Sequence, residues 1–132
     1  MPGSFYDTNI LIHFVSADVG KSERARALLR AGGTISVQVL NEVASVARSK
    51  LAMSWPQVRE VLFVFRGLLS VRPLTLTIQA HGIALAERHR LHVYDAMIVA
   101  SALEAGCDIL YTEDLHHGLR IDDRLTIVNP FA

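Results

Sequence analysis

The chain has 132 residues, 51% of them hydrophobic, and its 13 Lys and Arg balance its 13 Asp and Glu. This composition is typical of one folded domain with a sizeable core and excludes a disordered chain. Zero net charge gives no overall argument for nucleic-acid binding, so any such surface must be local. The single cysteine, Cys107, excludes an internal disulfide, and no apolar run is long enough to span a membrane. We therefore expect one domain over residues 1–132, located in the cytoplasm.

The order of the predicted elements alternates between strands and helices. Runs of β-branched and aromatic residues predict five strands, at 4–6, 34–37, 70–74, 109–112 and 125–129. Helical spacing of apolar residues predicts six helices, at 10–15, 21–31, 39–51, 54–67, 77–90 and 94–105. Such alternation implies right-handed crossovers between parallel strands. The predicted fold class is α/β, a single three-layer domain with a mostly parallel sheet of about five strands flanked by helices.

Local signals mark the ends of several elements. Ser22 is the expected N-cap of the second helix, and Ser54 begins the fourth helix with a capping-box pattern that includes Gln57. The pair Asp122-Asp123 is expected to form a turn before the last strand.

Four acids lie where strands end or helices begin. Asp7 follows the first strand, Glu42 lies one turn into the helix after the second strand, and Asp114 lies two residues beyond Thr112. Because parallel strands end at one edge of a sheet, these three acids should converge there. Asp95 joins them if the apolar helix 94–105 directs its N-terminus toward the same edge.

Carboxylates without His or Cys suit a hard ion such as Mg²⁺ or Mn²⁺, and this layout suits metal-dependent hydrolysis of a phosphodiester. Each acid alone has an ordinary explanation. Asp7 is equally well explained as a helix cap and Asp95 as an acid favoured by the helix dipole. Glu42 alone is better explained as a solvated residue and Asp114 as part of a turn. The functional interpretation therefore depends on the coincidence of all four at one edge.

The segments that carry these acids resemble the four motifs of PIN-domain nucleases and, more narrowly, the VapC-type toxins of bacterial toxin–antitoxin systems. The four segments are FYDTN (5–9), SVQVLNE (36–42), YDAMI (94–98) and TEDL (112–115). His117-Gly118 and the tail IVNPF (127–131) also recur in that group. Each motif alone is weak, but the ordered set is specific and spans essentially the whole chain.

The resemblance implies a PIN-like fold and a ribonuclease that depends on Mg²⁺ or Mn²⁺. Asp7 and Asp95 match the acids that bind metal most directly, and Glu42 and Asp114 match acids that complete the site. Some relatives carry a further acid just after the Asp114 position. This chain has Leu115, His116 and His117 there, which leaves open whether one or two metal ions bind.

The resemblance also assigns supporting roles and partners. Thr8, Asn9 and Thr112 match polar residues that orient the carboxylates. The expected partners are an RNA substrate (tRNA, rRNA or mRNA), a small VapB-type antitoxin and a second copy of the chain in a homodimer.

Two surfaces are candidates for these partners. Arg88, Arg90 and His92 lead into Asp95 and are expected to bind RNA, although a basic helix end explains them equally well. Phe63 lies outside the apolar stripe of the helix 54–67, and with Trp55 it is expected to contribute to an antitoxin groove or a homodimer contact. Single exposed apolar residues are, however, common.

Two other functions remain open on the sequence alone. One is a housekeeping RNA-processing nuclease without an antitoxin. The other is a non-catalytic RNA-binding or protein-binding module of the same fold. The presence of all four acids argues against the non-catalytic module, because such a module has no need to keep them together.

Overall fold

Strands and helices alternate along the chain as predicted, and the computed structural model describes residues 3–132. The strands in this part of the chain are β1 (Ser4–Tyr6), β2 (Thr34–Ser36), β3 (Ser70–Arg72), β4 (Ile109–Tyr111), β5 (Arg120–Ile121) and β6 (Leu125–Val128). The helices are α1 (Thr8–Phe14), α2 (Val19–Arg30), α3 (Val37–Ser49), α4 (Trp55–Leu68), α5 (Leu76–His89) and α6 (Val93–Glu104).

The strands form one sheet in the order β3-β2-β1-β4-β6-β5, in which only β5 runs antiparallel to its neighbour. From β1 the chain moves outward to β2 and β3, and then returns to the other side of β1 with β4. Right-handed crossovers therefore place α1–α4 on one face and α5–α6 on the other, in agreement with the helix contacts. The predicted α/β fold class, with three layers and a mostly parallel sheet, is confirmed.

The reversal of strand order between β1 and β4 creates a crevice at their carboxyl ends. In open α/β sheets, ligands bind at this switch point. Tyr6 pairs with Tyr111 in the register of the two strands, and the Asp7 backbone N–H donates to the Tyr111 carbonyl at 3.0 Å. The register therefore places Asp7 beside Thr112.

Several element bounds shift by two or three residues from the prediction, as at Val37, which begins α3 instead of ending β2; two other differences concern an element and a cap. The sheet has a sixth strand, β5, which is too short to give a sequence pattern and is paired with β6 through the predicted turn at Asp122-Asp123. Both aspartates have φ of 53°, a left-handed conformation that suits a tight hairpin turn. The predicted N-cap Ser22 is wrong: α2 begins earlier and Asp18 caps it, whereas the Ser22 hydroxyl donates to the Phe14 carbonyl.

The core explains how the site is held in place. The capping box of α4 is formed by Ser54 and Gln57 as predicted, and Phe65 of that helix packs edge-on against Phe14 of α1. Helix α6 is buried from Ala96 to Leu103, so it passes through the interior with its N-terminus at the crevice.

No helix within residues 3–132 combines the length and apolar character needed to cross a bilayer.

Candidate active site

Asp7 lies at the junction of β1 and α1, where it has two structural roles. It is the N-cap of α1, and its Oδ1 accepts the Thr8 backbone N–H at 2.7 Å. Its Oδ2 accepts the Thr112 hydroxyl at 2.8 Å. Asp7 is 4% exposed, so it is far more buried than a simple cap requires. The Oδ1 atom of Asp7 therefore caps α1, as one explanation predicted, while the Oδ2 atom is held by Thr112, the residue that follows β4.

Asn9 and Thr112 hold the carboxylates of Asp7 and Asp114 in a fixed relation. The Asn9 amide donates to Asp114 Oδ2 at 3.0 Å and lies 3.4 Å from Asp7 Oδ2. The Thr112 hydroxyl accepts the Asp114 backbone N–H at 3.1 Å while it donates to Asp7. The structure thus links the ends of β1 and β4 through these side chains, as their proposed orienting role requires.

Glu42 and Asp95 approach the crevice from α3 and α6. Gln38, one turn before Glu42, donates to the Tyr94 carbonyl at 3.2 Å and lies 3.5 Å from Glu42 Oε2. His92 caps α6, because its Nδ1 accepts the Tyr94 backbone N–H at 3.3 Å. These contacts fix the start of α6 against α3, so that Asp95 and Glu42 face the same space.

The four predicted acids line one open pocket of about 440 Å³, namely Asp7, Glu42, Asp95 and Asp114. Thr8 and Asn9 line it as well, whereas Thr112 lies buried behind Asp7. Residues that are far apart in the sequence therefore meet at the carboxyl edge of the sheet.

Three of the four predicted acids in the pocket have raised pKa values, because they are buried or partly buried and close to other carboxyl groups. Burial, helped by the charges of Asp114 and Glu42, raises the pKa of Asp7 to about 6, against the hydrogen bonds from Thr112 and the Thr8 backbone. Burial also raises the pKa of Glu42 and that of Asp95, and repulsion among the carboxylates adds to both shifts. A divalent cation would relieve this repulsion.

The chemistry of the donor set fits such a cation. The acids offer only oxygen ligands, which is the preference of Mg²⁺ and Mn²⁺. The Thr8 hydroxyl is buried at the pocket and lies near enough to Glu42 to lower the pKa of that carboxyl against the effect of burial, so it is a further oxygen among the acids. In residues 3–132, no three His, Cys, Asp or Glu side chains are already arranged to hold a metal ion. Binding would therefore require the carboxylates to turn toward a common point.

The pocket contains charged residues that the sequence did not reveal. His13 Nε2 lies 2.6 Å from Glu113 Oε1, and Lys21 Nζ lies 3.4 Å from Glu113 Oε2. Burial raises the pKa of Glu113, but these two neighbours outweigh it and hold that pKa below its ordinary value. Glu113 is thus compensated, unlike the four predicted acids. Lys50, at the end of α3, also lines the pocket.

The three predicted RNA-binding residues have different environments. Arg88 pairs with Asp122 at 3.0 Å and ties α5 to the β5–β6 turn. Arg90 is the left-handed C-cap of α5, and neither arginine lines the acidic pocket. His92 is close enough for its charge to lower the pKa of Asp95. Of the three, the structure brings only His92 to the acids.

Apolar side chains line two grooves. The α1–α4 groove is lined by Phe14, Val15, Val61, Val64 and Phe65 together with Glu60; the predicted interface residues Trp55 and Phe63 lie on the same helix α4, outside this lining. Phe63 is 75% exposed and Trp55 56%, although the Arg48 guanidinium lies 4.4 Å from the Trp55 ring. The second is the α3–α6 groove, which has no charged residue in its lining; its exposed apolar members are Val37, Leu74, Val93 and Tyr94.

The fold and the pocket together define an α/β protein whose acidic cleft lies at the switch point of a parallel sheet. The PIN domain family model matches residues 4–120, and the chain belongs to the PIN-domain family. No curated protein matches the chain significantly.

The fold is similar to that of several solved structures. A toxin–antitoxin complex from Klebsiella pneumoniae superposes with a TM-score of 0.74 at 23% identity, covering 96% of this chain and 97% of that one. VapC20 from Mycobacterium tuberculosis, a sarcin–ricin loop cleaving toxin, gives 0.69 at 16% identity and coverage of 84% and 91%. VapBC2 from Rickettsia felis, bound to a promoter DNA fragment, gives 0.67 at 20% identity and coverage of 94% and 96%. At these identities the likeness establishes a shared fold.

Proposed function

We propose that the protein is a metal-dependent ribonuclease and the toxin of a VapC-type toxin–antitoxin pair. The observation that carries the proposal is the meeting of Asp7, Glu42, Asp95 and Asp114 in one pocket at the switch point of a PIN domain. Similarity of fold to toxin–antitoxin complexes, and to a toxin that cleaves the sarcin–ricin loop, supports it.

The ion that we propose is Mg²⁺ or Mn²⁺, with Asp7 and Asp95 as its direct ligands and Glu42 and Asp114 completing the site. When bound, it neutralises the acids, activates water and stabilises the charge that develops on the phosphodiester. This chain's own contribution is to hold the carboxylates at one point. Asn9 and the Thr112 hydroxyl fix Asp114, and the Thr8 N–H fixes one oxygen of Asp7.

The proposed chemistry of the cut follows from the carboxylates of the pocket, whose oxygens suit a divalent ion and the water that such an ion activates. We propose hydrolysis by water, which leaves a 5′-phosphate on the downstream fragment. A 2′,3′-cyclic phosphate on the upstream fragment would indicate attack by the 2′-hydroxyl and would contradict this version of the mechanism.

We further propose that the two apolar grooves bind two different proteins. The α3–α6 groove is assigned to a second copy of the chain. In a two-fold symmetric dimer the same surface of both copies meets, and a surface without charged residues can meet itself without like-charge repulsion. The α1–α4 groove, with Phe63 and Trp55 on its helix, is assigned to the antitoxin.

The experiment that tests the proposed function is to map cleavage sites in cellular RNA after brief expression of the chain. The wild type should arrest growth and produce new 5′-phosphate ends, and co-expression of a small protein encoded beside it should restore growth. Asp7→Asn is the control and should produce neither effect. Cleavage without growth arrest would favour a housekeeping nuclease, and equal cleavage by Asp7→Asn would refute the site.

A further inference from the structure

The acidic pocket has one basic residue at its far end. Its lining includes the four predicted acids and Glu113, and its two basic side chains are His13 and Lys50. His13 is already 2.6 Å from Glu113. Within residues 3–132, Lys50 forms no ion pair, so its ammonium group is available to a ligand.

Helix α3 sets the distance between Lys50 and the acids. Glu42, Val46 and Lys50 follow one another at intervals of four residues, so they share a helix face, and all three line the pocket. A rise of 1.5 Å per residue separates Lys50 from Glu42 by about 12 Å along the axis. Lys50 therefore lies beyond the acids on the same wall, at the C-terminal end of α3.

An RNA substrate needs a positive contact near this pocket, since the acids repel its backbone. Because the net charge of the chain is zero, overall charge gives no attraction, and the positive contact must be local. Arg88 is paired with Asp122, and Lys21 is within 3.4 Å of Glu113. Lys50 is the lysine that both lines the pocket and remains unpaired in the part of the chain that the structure describes.

We propose that Lys50 is a substrate-binding residue that contacts a backbone phosphate next to the one held at the acids. This inference rests on the proposed function, because it takes RNA as the substrate. It places the bound strand along α3, from Glu42 toward the C-terminal end of the helix. The contact is electrostatic and independent of base identity, so it contributes affinity rather than sequence preference.

The test measures binding of a fluorescein-labelled single-stranded RNA dodecamer by anisotropy at a series of salt concentrations in Mg²⁺. Asp7→Asn serves as the parent protein, so that the RNA is not cut during titration. Adding Lys50→Gln should raise Kd about fivefold, the upper range for an exposed ion pair. It should also reduce the slope of log Kd against log salt by about 0.7, the value for one phosphate contact on a single strand. Lys50→Arg keeps the charge and should bind like the parent.

Arg48→Gln is the matched control. It removes the same charge from the same helix two residues earlier, but the Arg48 guanidinium lies over Trp55 and donates to the Met53 carbonyl at 2.9 Å. We expect its Kd to stay within about twofold of the parent, since a remote charge acts only through screened long-range attraction. Thermal melts of each variant show whether the fold is intact.

The outcomes separate this inference from the proposed function. Equal losses in Lys50→Gln and Arg48→Gln, or no loss in Lys50→Gln, would overturn the role of Lys50 even if the wild type cleaves RNA. A second outcome is that only Lys50→Gln loses RNA affinity, while the wild type cleaves no RNA with any divalent ion. That result would support the phosphate contact and refute the proposed nuclease activity. Failure of both the Asp7→Asn parent and the wild type to bind the RNA at low salt would refute the contact itself.

Discussion

Replacing Asp7 with asparagine should stabilise the metal-free protein at neutral pH, although it removes the proposed metal ligand. Asp7 is 4% exposed, and burial raises its pKa from 3.8 to about 6. Because the pKa is higher in the folded state, the folded protein binds the proton more tightly than the unfolded chain. The resulting stability is fully present below pH 3.8 and is lost as the pH rises through 6.

The magnitude follows from the size of this shift. About two pKa units at 1.36 kcal/mol each correspond to about 3 kcal/mol that the ionised side chain costs above pH 6. Asparagine avoids the charge but replaces the oxygen that accepts the Thr112 hydroxyl, a loss of about 1 kcal/mol. The net gain for Asp7→Asn is about 2 kcal/mol at pH 7.5, or a rise in Tm of about 6 °C for a chain of this length.

Thermal melts in EDTA between pH 4.5 and pH 8 measure this difference. The advantage of Asp7→Asn should reach its full size by pH 7.5, stay level to pH 8, and vanish near pH 4.5, where the wild-type carboxyl is protonated. Asp123→Asn is the control, because Asp123 is exposed and its left-handed backbone also suits asparagine. An Asp7→Asn variant that is less stable than the wild type at every pH would refute the reasoning, since it would show that the hydrogen bonds outweigh the cost of burying the charge.

Three further predictions concern the metal, the orienting residues and the grooves. Asp95→Asn should weaken Mn²⁺ binding at least about tenfold in a calorimetric titration, because it removes a proposed direct ligand; unchanged affinity would count against its assignment. Asn9→Ala should lower kcat about 10- to 100-fold with little change in KM, because the Asp114 carboxylate loses the hydrogen bond that positions it. Steady-state cleavage of a labelled RNA measures both constants, and a change in KM alone would contradict the prediction. Leu74→Asp should convert a dimer to a monomer in sedimentation, because Leu74 lines the α3–α6 groove. Val64→Asp should weaken antitoxin binding, because Val64 lines the α1–α4 groove and is exposed; the reverse pattern would exchange the two groove assignments.

The sequence predicted the acids at the strand ends because each depends on a local pattern. A run of apolar residues that stops at Asp7, or an apolar helix that begins near Asp95, is visible without any tertiary contact. The choice between a helix cap and a pocket residue for Asp7 was not visible locally. The structure shows that its two oxygens serve separate purposes, one in α1 and one facing β4.

Features that depend on distant contacts were not predictable from the sequence. The partners His13 and Glu113 are 100 residues apart, and no local pattern signals that they meet. Arg88 looked like part of a basic segment leading into the site, but its partner Asp122 lies in a turn 34 residues later. Strand β5 has two residues, which is too few for a period to be recognised.

Gln38 is an intermediate case. Its spacing from Glu42 on one helix face was a usable signal, because residues four apart on a helix are neighbours. Its second contact, with the Tyr94 carbonyl 56 residues later, was not predictable. That contact is what fixes the start of α6 at the crevice.

The central claim is that the four acids form a metal-dependent ribonuclease site. The most direct measurement is a time course of labelled RNA with purified wild type in Mg²⁺, in excess EDTA and after Mg²⁺ is restored, beside Asp95→Asn at the same concentration. We predict cleavage in Mg²⁺, none in EDTA, recovery when Mg²⁺ is restored, and none by the variant. Equal cleavage in EDTA, or by Asp95→Asn, would contradict the claim.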